Sequence, residues 1–188
     1  MRKIASLAAA LFFLAAVAFA AAPAPRELLS PPGQAAITVH GATITVTYHR
    51  PYIRNPKPPH HPRLIFGAGS NYLVPFGHVW RLGANQATAL TTSKAIVLAG
   101  VHLAAGSYTL FAIPNAGHWT LIISKKNGEW GIPYTGRQND LPRANLRVHP
   151  SVATIDPFTI SFHRTGPRSA QLHFAWAHTI AIVPLRVP

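Results

Sequence analysis

The chain contains no cysteine. Without a thiol it cannot use thiolate catalysis, bind an iron–sulfur cluster or build a cysteine-type zinc site, and no disulfide can cross-link its fold. A chain of 188 residues does not need one, because a single domain of this size buries enough surface to be held by packing alone. The fold is therefore expected to depend on its hydrophobic core.

Acidic residues are also scarce: Glu27, Glu129, Asp140 and Asp156 stand against 17 lysines and arginines, and the formal net charge is +13. This thin supply disfavours the paired carboxylates of glycoside hydrolysis. The positive charge attracts polyanions such as anionic glycans and lipid headgroups; adaptation to an acidic or otherwise unusual medium is the alternative. The basic residues form no run of five or more, so no specific nucleic-acid partner is expected.

Residues 1–22 have the pattern of a secretory signal peptide. Arg2 and Lys3 precede an apolar run from Ile4 to Phe19, and the small residues that follow offer Ala-x-Ala cleavage sites. The run is a little short of the ~20 residues of a membrane span and lacks a basic flank, so no transmembrane segment is expected in the mature chain. We expect export to the periplasm or the extracellular space, a flexible segment at 23–33 and one domain at 34–188.

No stretch has a convincing helical period, and Pro and Gly divide the chain into short segments rich in β-branched and aromatic residues. This pattern predicts an all-β fold, an antiparallel two-layer β-sandwich of the jelly-roll or immunoglobulin-like type. The predicted strands lie at 36–39, 43–49, 86–92, 95–98, 107–113, 119–124, 145–148, 158–163, 170–177 and 179–186. Between them, the segment from Pro51 to Pro75, with its Pro- and His-rich part at 56–62, is expected to be a long mobile loop.

Two hairpins have side-chain patterns that suggest a register. In the second half of the chain, alternation pairs Phe162 with Leu172, Ile160 with Phe174 and Phe158 with Trp176.

The earlier hairpin turns at 114–117. We expect Phe111 opposite Leu121 and Leu110 opposite Ile122, with apolar residues on both faces. Strands that are apolar on both faces are central in a sheet or are covered by a further element.

One block of the sequence is specific enough to suggest a family. It is the run Val79-Trp80-Arg81 followed by Gly83-Ala84-Asn85. The weaker matching motifs are Tyr48-His49-Arg50-Pro51, Phe66-Gly67, Leu73-Val74-Pro75-Phe76-Gly77, Ala87-Thr88, Ala105-Gly106-Ser107-Tyr108, Ile113-Pro114, Trp119, Trp130-Gly131 and Trp176. Together they resemble domain-of-unknown-function family 2911, a group of exported bacterial proteins, over about Gln34 to Pro188.

The resemblance implies an exported β-sandwich-like domain, and it supplies no catalytic residue. The chain departs from the family pattern in two places. Gln86 stands where the family usually has a glutamate, so a carboxylate function at that position is in doubt. The connection from Pro51 to Phe66 is lengthened by the Pro- and His-rich insert.

The candidate ligand-binding residues form two groups. In the first, Tyr48 and Arg50 end a core-facing row of a strand, and we expect them near Trp80, Arg81 and Asn85. Aromatic walls and a guanidinium fork would suit an anionic or sugar ligand. The alternative is structural, with Arg50 or Arg81 paired to Asp140 or Asp156.

The second group is a rim of Trp130, Tyr134, Asp140 and Arg143 in a loop-rich stretch. Trp130 is the aromatic residue we expect to be exposed, because Gly131, Ile132 and Pro133 follow it. Trp176 and Trp119, by contrast, are expected to pack in the core.

The eleven histidines do not form a metal-binding pattern. His173 and His178 are five residues apart, which places them on opposite faces of an extended strand. His163 and His173 are two positions out of register, and His60-His61 has no acidic neighbour. No metal site and no cofactor are therefore expected.

Hydrolase and nucleotide-binding signatures are absent from the sequence. We expect a non-catalytic ligand-binding or envelope-associated module whose partner is an anionic glycan, a lipid or another small molecule. The alternative is a secreted hydrolase-like enzyme with a site around Arg50, Arg81, Asn85 and Asp140. The oligomeric state is not predicted.

Overall fold

The structure, a computed structural model, describes residues 29–188. The predicted signal peptide and most of the predicted segment 23–33 lie outside the described residues. Within the described part the fold is all-β, as predicted, with no α-helix and one 3-10 turn at Arg137–Asn139. The strands are β1 Pro32–Val39, β2 Ala42–His49, β3 Phe66–Gly67, β4 Val74–Pro75, β5 Thr88–Thr92, β6 Ile96–Leu98, β7 Val101–Leu103, β8 Gly106–Pro114, β9 His118–Ser124, β10 Ala144–Gly166 and β11 Ser169–Arg186.

Nine of these strands form one large sheet in the order β1-β2-β5-β8-β9-β10-β11-β6-β7, in which all neighbours are antiparallel. The sheet is not closed, because β1 and β7 remain its edges. It curls so far that strands distant in this order meet: the amide of Ile160 on β10 donates to the hydroxyl of Tyr48 on β2 at 2.9 Å. Arg164 on β10 also donates to the carbonyl of Thr38 on β1.

The interior of this curled sheet is filled by the inward-facing side chains, which come from alternate residues along a strand. On β2, Ala42, Ile44 and Val46 are buried while the threonines between them face outward or are half-buried. Apolar burial contributes about 25 cal/mol per Å² of surface removed from water, and without a disulfide it has to hold the fold. The five largest fully buried side chains are all aromatic: Trp119, Trp176, Phe111, Phe158 and Phe174.

Strand β8 is buried on both faces, as its sequence predicted. Leu110 and Ala112 belong to the main core, whereas Phe111 packs with Ile122 and Ala87 on the other side of the sheet. This strand lies in the interior of the strand order, between β5 and β9. Successive side chains in a strand point to opposite faces of the sheet, so a strand with consecutive apolar residues has to be covered on both faces.

The predicted register of the β8–β9 hairpin is wrong by one residue. Phe111 lies opposite Ile122, and Ala112 lies opposite Leu121. Asn115 donates to the carbonyl of His118, which leaves two residues at the tip of the turn. A two-residue turn sets the register of the strands that it joins, whereas the predicted pairing of Phe111 with Leu121 requires a longer turn.

The β10–β11 hairpin has the predicted register at Ile160–Phe174 and Phe162–Leu172. The predicted pair of Phe158 with Trp176 is not part of the register, because the pairing shifts between Ile155 and Thr159. The strands of this hairpin extend well beyond the predicted ones, because β10 runs continuously through Pro150 and Pro157. Register shifts after Pro150 and after Ile155 allow this, since a bulge leaves residues outside the hydrogen-bond ladder where proline is tolerated.

The segment from Pro51 to Pro75 is more regular than predicted. Its second half contains β3 and β4, which pair in parallel, and Arg54 and Pro62 form an isolated bridge at the base of the Pro- and His-rich part. The sequence did not indicate β3, β4 or β7 because each spans only two or three residues, too few to show a period of two. The predicted mobility of the segment stays a prediction.

His173 and His163 lie diagonally across the β10–β11 hairpin with ring centroids 4.2 Å apart. Burial lowers the pKa of His173, and the charges that His163 and His149 would carry lower it further. The folded state thus prefers neutral His173. Neutral His173 therefore contributes its full stabilisation above pH 6.5, the ordinary pKa of histidine. This stabilisation is lost as the pH falls through the lower pKa that His173 has in the folded state.

We therefore expect the free energy of unfolding to fall as the pH drops below 6.5, and His173→Gln to reduce that fall. Denaturant titrations of both proteins over this pH range provide the measurement. His163→Gln should also reduce the fall, because it removes one of the repelling charges. Parallel pH profiles for the wild type and His173→Gln would contradict the expectation.

Candidate functional site

A hollow of about 540 Å³ opens beside the aromatic core, and we call it the first hollow. Its walls come from the 73–75 segment, the stretch 78–85, the loop 130–132 and β11. No carboxylate of the described residues lines it. The lining residues are Ser30, Pro51, Arg63, Leu73, Val74, Pro75, His78, Val79, Trp80, Arg81, Gly83, Ala84, Asn85, Trp130, Ile132 and Trp176.

The inner wall of the first hollow is a cluster of aromatic rings. Trp80 and Trp176 stack with centroids 5.9 Å apart and an interplanar angle of 18°. Behind them Trp80 meets the edges of Phe158 at 5.0 Å and of Trp119 at 5.7 Å. Edge-to-face and offset-stacked pairs add to the stability gained from burial. These contacts therefore stabilise the wall.

Trp80 is positioned by the sheet itself. Strand β5 pairs with β8 as far as Leu110. Beyond Leu110, the backbone around Trp80 replaces β5 as the neighbour of β8. Trp80 and Ala112 exchange backbone hydrogen bonds of 2.7 and 2.9 Å. The indole nitrogen of Trp80 donates to the carbonyl of Gly83 at 3.2 Å and thereby anchors the next turn.

That turn spans residues 81–88 and is closed by hydrogen bonds to backbone carbonyls. The amide of Thr88 donates to the carbonyl of Arg81, and its hydroxyl donates to the carbonyl of Leu82. Gly83 has φ +156 and lies so near the backbone of β2 that a Cβ there would be 2.8 Å from the carbonyl oxygen of His49. Asn85 has φ 55, a left-handed backbone conformation that asparagine tolerates.

Arg81 is half-buried at the edge of the first hollow and has no carboxylate partner among residues 29–188. Its Nη1 donates to the carbonyl of Asn85 and, at 3.0 Å, to the carbonyl of Trp130. Its guanidinium carbon lies 5.9 Å from the centroid of the Trp130 ring, a cation–π distance. Burial lowers the pKa of Arg81, so the protein bears a cost for holding this charge away from water.

Arg63 brings a second guanidinium to the first hollow. It donates to the carbonyls of Ile53 and Tyr52, and, like Arg81, it makes no ion pair among residues 29–188. Burial lowers its pKa, and the nearby charge of Asp156 partly offsets that effect. Sequence reasoning missed Arg63, because it follows the Pro- and His-rich insert and belongs to no motif.

Trp130 separates the first hollow from a second one of about 510 Å³. Its side chain is 57% exposed, whereas Trp80, Trp119 and Trp176 are at most 8% exposed. Gly131 positions it, because a Cβ at that residue would lie within 3.0 Å of Arg81 and Ala87. The second hollow is lined by Pro32, Gly33, Gln34, Thr47, Tyr48, His49, Asn85, Gln86, Ala87 and Trp130.

Residues 30–185 match the family described as "Protein of unknown function (DUF2911)", and they include both hollows. The chain belongs to this family. No curated protein and no solved structure matches it.

In this DUF2911 protein the first predicted group is only partly gathered. Trp80, Arg81 and Asn85 line the first hollow together. Tyr48 lines the second hollow, with its ring packed against Phe158 at 5.6 Å and its hydroxyl bonded to the amide of Ile160.

Arg50 lines neither hollow. Its Nη2 lies 3.4 Å from the hydroxyl of Thr159, and its methylenes pack over Gly33. Its Nε is buried and has no hydrogen-bond partner in the described residues.

The second predicted group divides in the same way. Trp130 lies at the first hollow, but Tyr134, Asp140 and Arg143 form a separate polar cluster that lines neither hollow. One oxygen of Asp140 accepts from Tyr134 and, at 2.9 Å, from Arg143. Burial raises the pKa of Tyr134, and its hydrogen bond to the carboxylate raises it further. Burial acts to lower the pKa of Arg143, but its hydrogen bonds to Asp140 and Tyr134 outweigh it.

The structural alternative for Arg50 and Arg81 is wrong as stated. Asp140 pairs with Arg143, only three residues along the chain. Asp156 accepts a hydrogen bond from the amide of Ile53. In the part of the chain that the structure describes, both arginines therefore lack a carboxylate partner.

Two further features are absent from residues 29–188. No three side chains of the metal-ligating types come together in a way that could hold a metal ion. No helix there has the length and apolar character needed to cross a bilayer.

Proposed function

We propose that this DUF2911 protein is a non-catalytic binding module for a small organic anion, sugar acids included, that occupies the first hollow. One observation carries the proposal: Arg63 and Arg81 line a hollow that has no carboxylate of the described residues. Backbone carbonyls hold both guanidiniums in place, and neither forms an ion pair within the described part of the chain.

An anionic ligand would relieve a cost that the protein now bears. Burial lowers the pKa of Arg81, which means that its charged form is less favourable here than in water. A carboxylate or phosphate would supply the missing countercharge, and charge-assisted hydrogen bonds are about twice as strong as neutral ones. Because each guanidinium has five N–H donors and uses only some of them on carbonyls, donors remain for a ligand.

The aromatic residues favour a ligand with a flat or ring-shaped face. Trp130 is exposed beside Arg81, and its ring is available for stacking on a sugar or an aromatic ring. Trp176 adds a buried indole N–H that has no partner in the described residues. An oxygen of the ligand that reaches this wall would accept from it.

The geometry gives less support to the hydrolase-like alternative. That hypothesis requires Arg50, Arg81, Asn85 and Asp140 around one pocket, whereas only Arg81 and Asn85 line the first hollow. Asp140 is held by Arg143 and Tyr134 elsewhere.

Titration calorimetry with matched pairs of soluble probes tests the proposal. We expect glucuronate to bind more tightly than glucose and benzoate more tightly than benzyl alcohol, since each pair differs chiefly in its charge. Arg81→Gln should weaken anion binding at least about tenfold, the effect of losing one charge-assisted contact. Quenching of tryptophan fluorescence provides a second readout, because Trp80, Trp130 and Trp176 all line the first hollow.

Arg186→Gln is the matched control, because Arg186 is an exposed arginine on β11 that does not line the first hollow. It should leave the affinities unchanged. Equal losses in both variants would mean that the net charge, and not the hollow, attracts the anions. No binding of either anion by the wild type would refute the proposal.

We also propose that the chain is exported and that its sheet is organised as a two-layer sandwich. Export is supported by Arg2 and Lys3 ahead of the apolar run, and by the Ala-x-Ala sites. The two-layer arrangement is supported by the contacts of β10 with β1 and β2 across the core. N-terminal sequencing of protein recovered outside the cytoplasm tests export, with a start near Ala21 or Pro23 as the expected result.

A further inference from the structure

Exposed large apolar side chains are concentrated at the mouth of the first hollow. Leu64, Leu73, Trp130 and Ile132 are 53%, 44%, 57% and 44% exposed, and we call these four the apolar rim. Leu73, Trp130 and Ile132 line the first hollow. Leu64 lies beside Leu73, because the amide of Leu73 donates to its carbonyl at 2.9 Å and both line the same small groove.

Basic residues surround this apolar rim. Arg63 borders both the first hollow and the small groove, and Arg81 lies beside Trp130. The adjoining loop carries exposed Arg54 and Lys57.

Few negative charges oppose this basic surface. Asp156 is the acidic residue near Arg63, while Glu129 and Asp140 have buried side chains that are paired with Lys126 and Arg143. The surface around the apolar rim therefore carries an excess of positive charge.

We infer that the apolar rim is a docking surface for an anionic lipid bilayer. Leucine, isoleucine and tryptophan side chains would enter the boundary between headgroups and acyl chains, where an indole ring is especially favoured. The surrounding arginines and lysine would lie at the level of the phosphates. Basic residues near an anionic membrane strengthen binding by about fivefold each. This inference goes beyond the proposed binding of soluble anions and does not depend on it.

The arrangement suits a bilayer better than a protein partner. An interfacial membrane site combines scattered apolar side chains with cations around them, and it needs no shape complementarity. Charge complementarity selects the lipid, because a chain with a net charge of +13 is attracted to an anionic surface and not to a zwitterionic one.

Vesicle sedimentation and Trp130 fluorescence test the inference. One set of vesicles contains phosphatidylcholine alone, and the other contains phosphatidylcholine with phosphatidylglycerol. We expect binding to the second set only, weakened by added salt, with a blue shift of Trp130 emission. All four tryptophans lie in the described residues, and Trp130 is the exposed one, so an N-terminal segment bound to lipid would not produce this shift.

Two variants separate insertion from simple charge attraction. The double variant Leu64→Ser/Leu73→Ser should bind anionic vesicles at least about tenfold more weakly, because it removes apolar surface from the contact. Val152→Ser is the matched control, since Val152 is fully exposed on β10 and lines none of the hollows described. Thermal unfolding verifies that both variants are folded.

The inference is overturned if the double variant binds as tightly as Val152→Ser, if Trp130 emission does not shift, or if the wild type ignores anionic vesicles. Calorimetry with glucuronate on the same preparations distinguishes it from the proposed function. Binding to vesicles without binding to glucuronate would support the docking surface and refute the soluble anion site. Binding to glucuronate without binding to vesicles would refute only the docking surface.

Discussion

Replacing Trp80 by alanine is expected to lower the free energy of unfolding by about 3–5 kcal/mol. Trp80 stacks on Trp176 and meets Phe66, Phe158 and Trp119 with ring centroids between 5.0 and 5.9 Å away. An alanine would leave a cavity that rigid neighbouring rings cannot fill. Since a domain of this kind has only about 5–15 kcal/mol of stability, this loss is a large fraction of the total.

Chemical denaturation monitored by circular dichroism measures this loss. Trp130→Ala is the matched control, because Trp130 is 57% exposed and its removal should cost less than about 1 kcal/mol. Trp80→Phe should fall between the two. Similar losses for Trp80→Ala and Trp130→Ala would show that the aromatic cluster is not the centre of the core.

The second large effect is expected at the polar cluster of Tyr134, Asp140 and Arg143. Arg143→Met should destabilise the protein by about 3 kcal/mol, because it leaves a buried carboxylate without its cation. The side chain of Asp140 is 6% exposed, and one of its oxygens accepts from Nε of Arg143 at 3.2 Å and from Nη2 at 2.9 Å. Its other oxygen is buried and has no hydrogen-bond partner in the part of the chain that the structure describes.

A double-mutant cycle isolates this interaction. Asp140→Asn should be destabilising by itself, but the double variant Asp140→Asn/Arg143→Met should cost clearly less than the sum of the single variants, because the unpaired charge is gone. Denaturant titrations of the four proteins supply the data. Additive effects would mean that the contact between Asp140 and Arg143 contributes nothing beyond the separate packing of each side chain.

Local patterns in the sequence predicted those parts of the fold that depend on local chemistry. Alternation along Ile160 and Phe162 identified a hairpin and its register, because a slip would have exposed apolar residues. The same reasoning failed for Phe111 and Ile122, where apolar residues occupy both faces and a slip is not penalised by the pattern. There the length of the turn decided the register.

The candidate site was recognised in outline only. Trp80, Arg81 and Asn85 belong to one short motif, and a tight turn brings such residues together in any fold. The cost of an unpaired buried charge predicts that Arg50 and Asp140 have charged or polar partners, but it does not identify those partners. Asp140 pairs with Arg143 three residues away, and Arg63, which lines the first hollow, follows the Pro- and His-rich insert and belongs to no motif.

The amino-acid sequence by itself determined that this DUF2911 protein is a β-protein without cross-links, strongly basic, with a Trp-Arg motif in a tight turn. Those features follow from composition and from periodicities of a few residues. Only the tertiary structure decided that Arg63 and Arg81 share a hollow free of the described carboxylates and that apolar side chains surround its mouth. The physical reason is that such neighbours are brought together by the curl of the sheet and by loop packing, which depend on contacts between residues far apart in the chain.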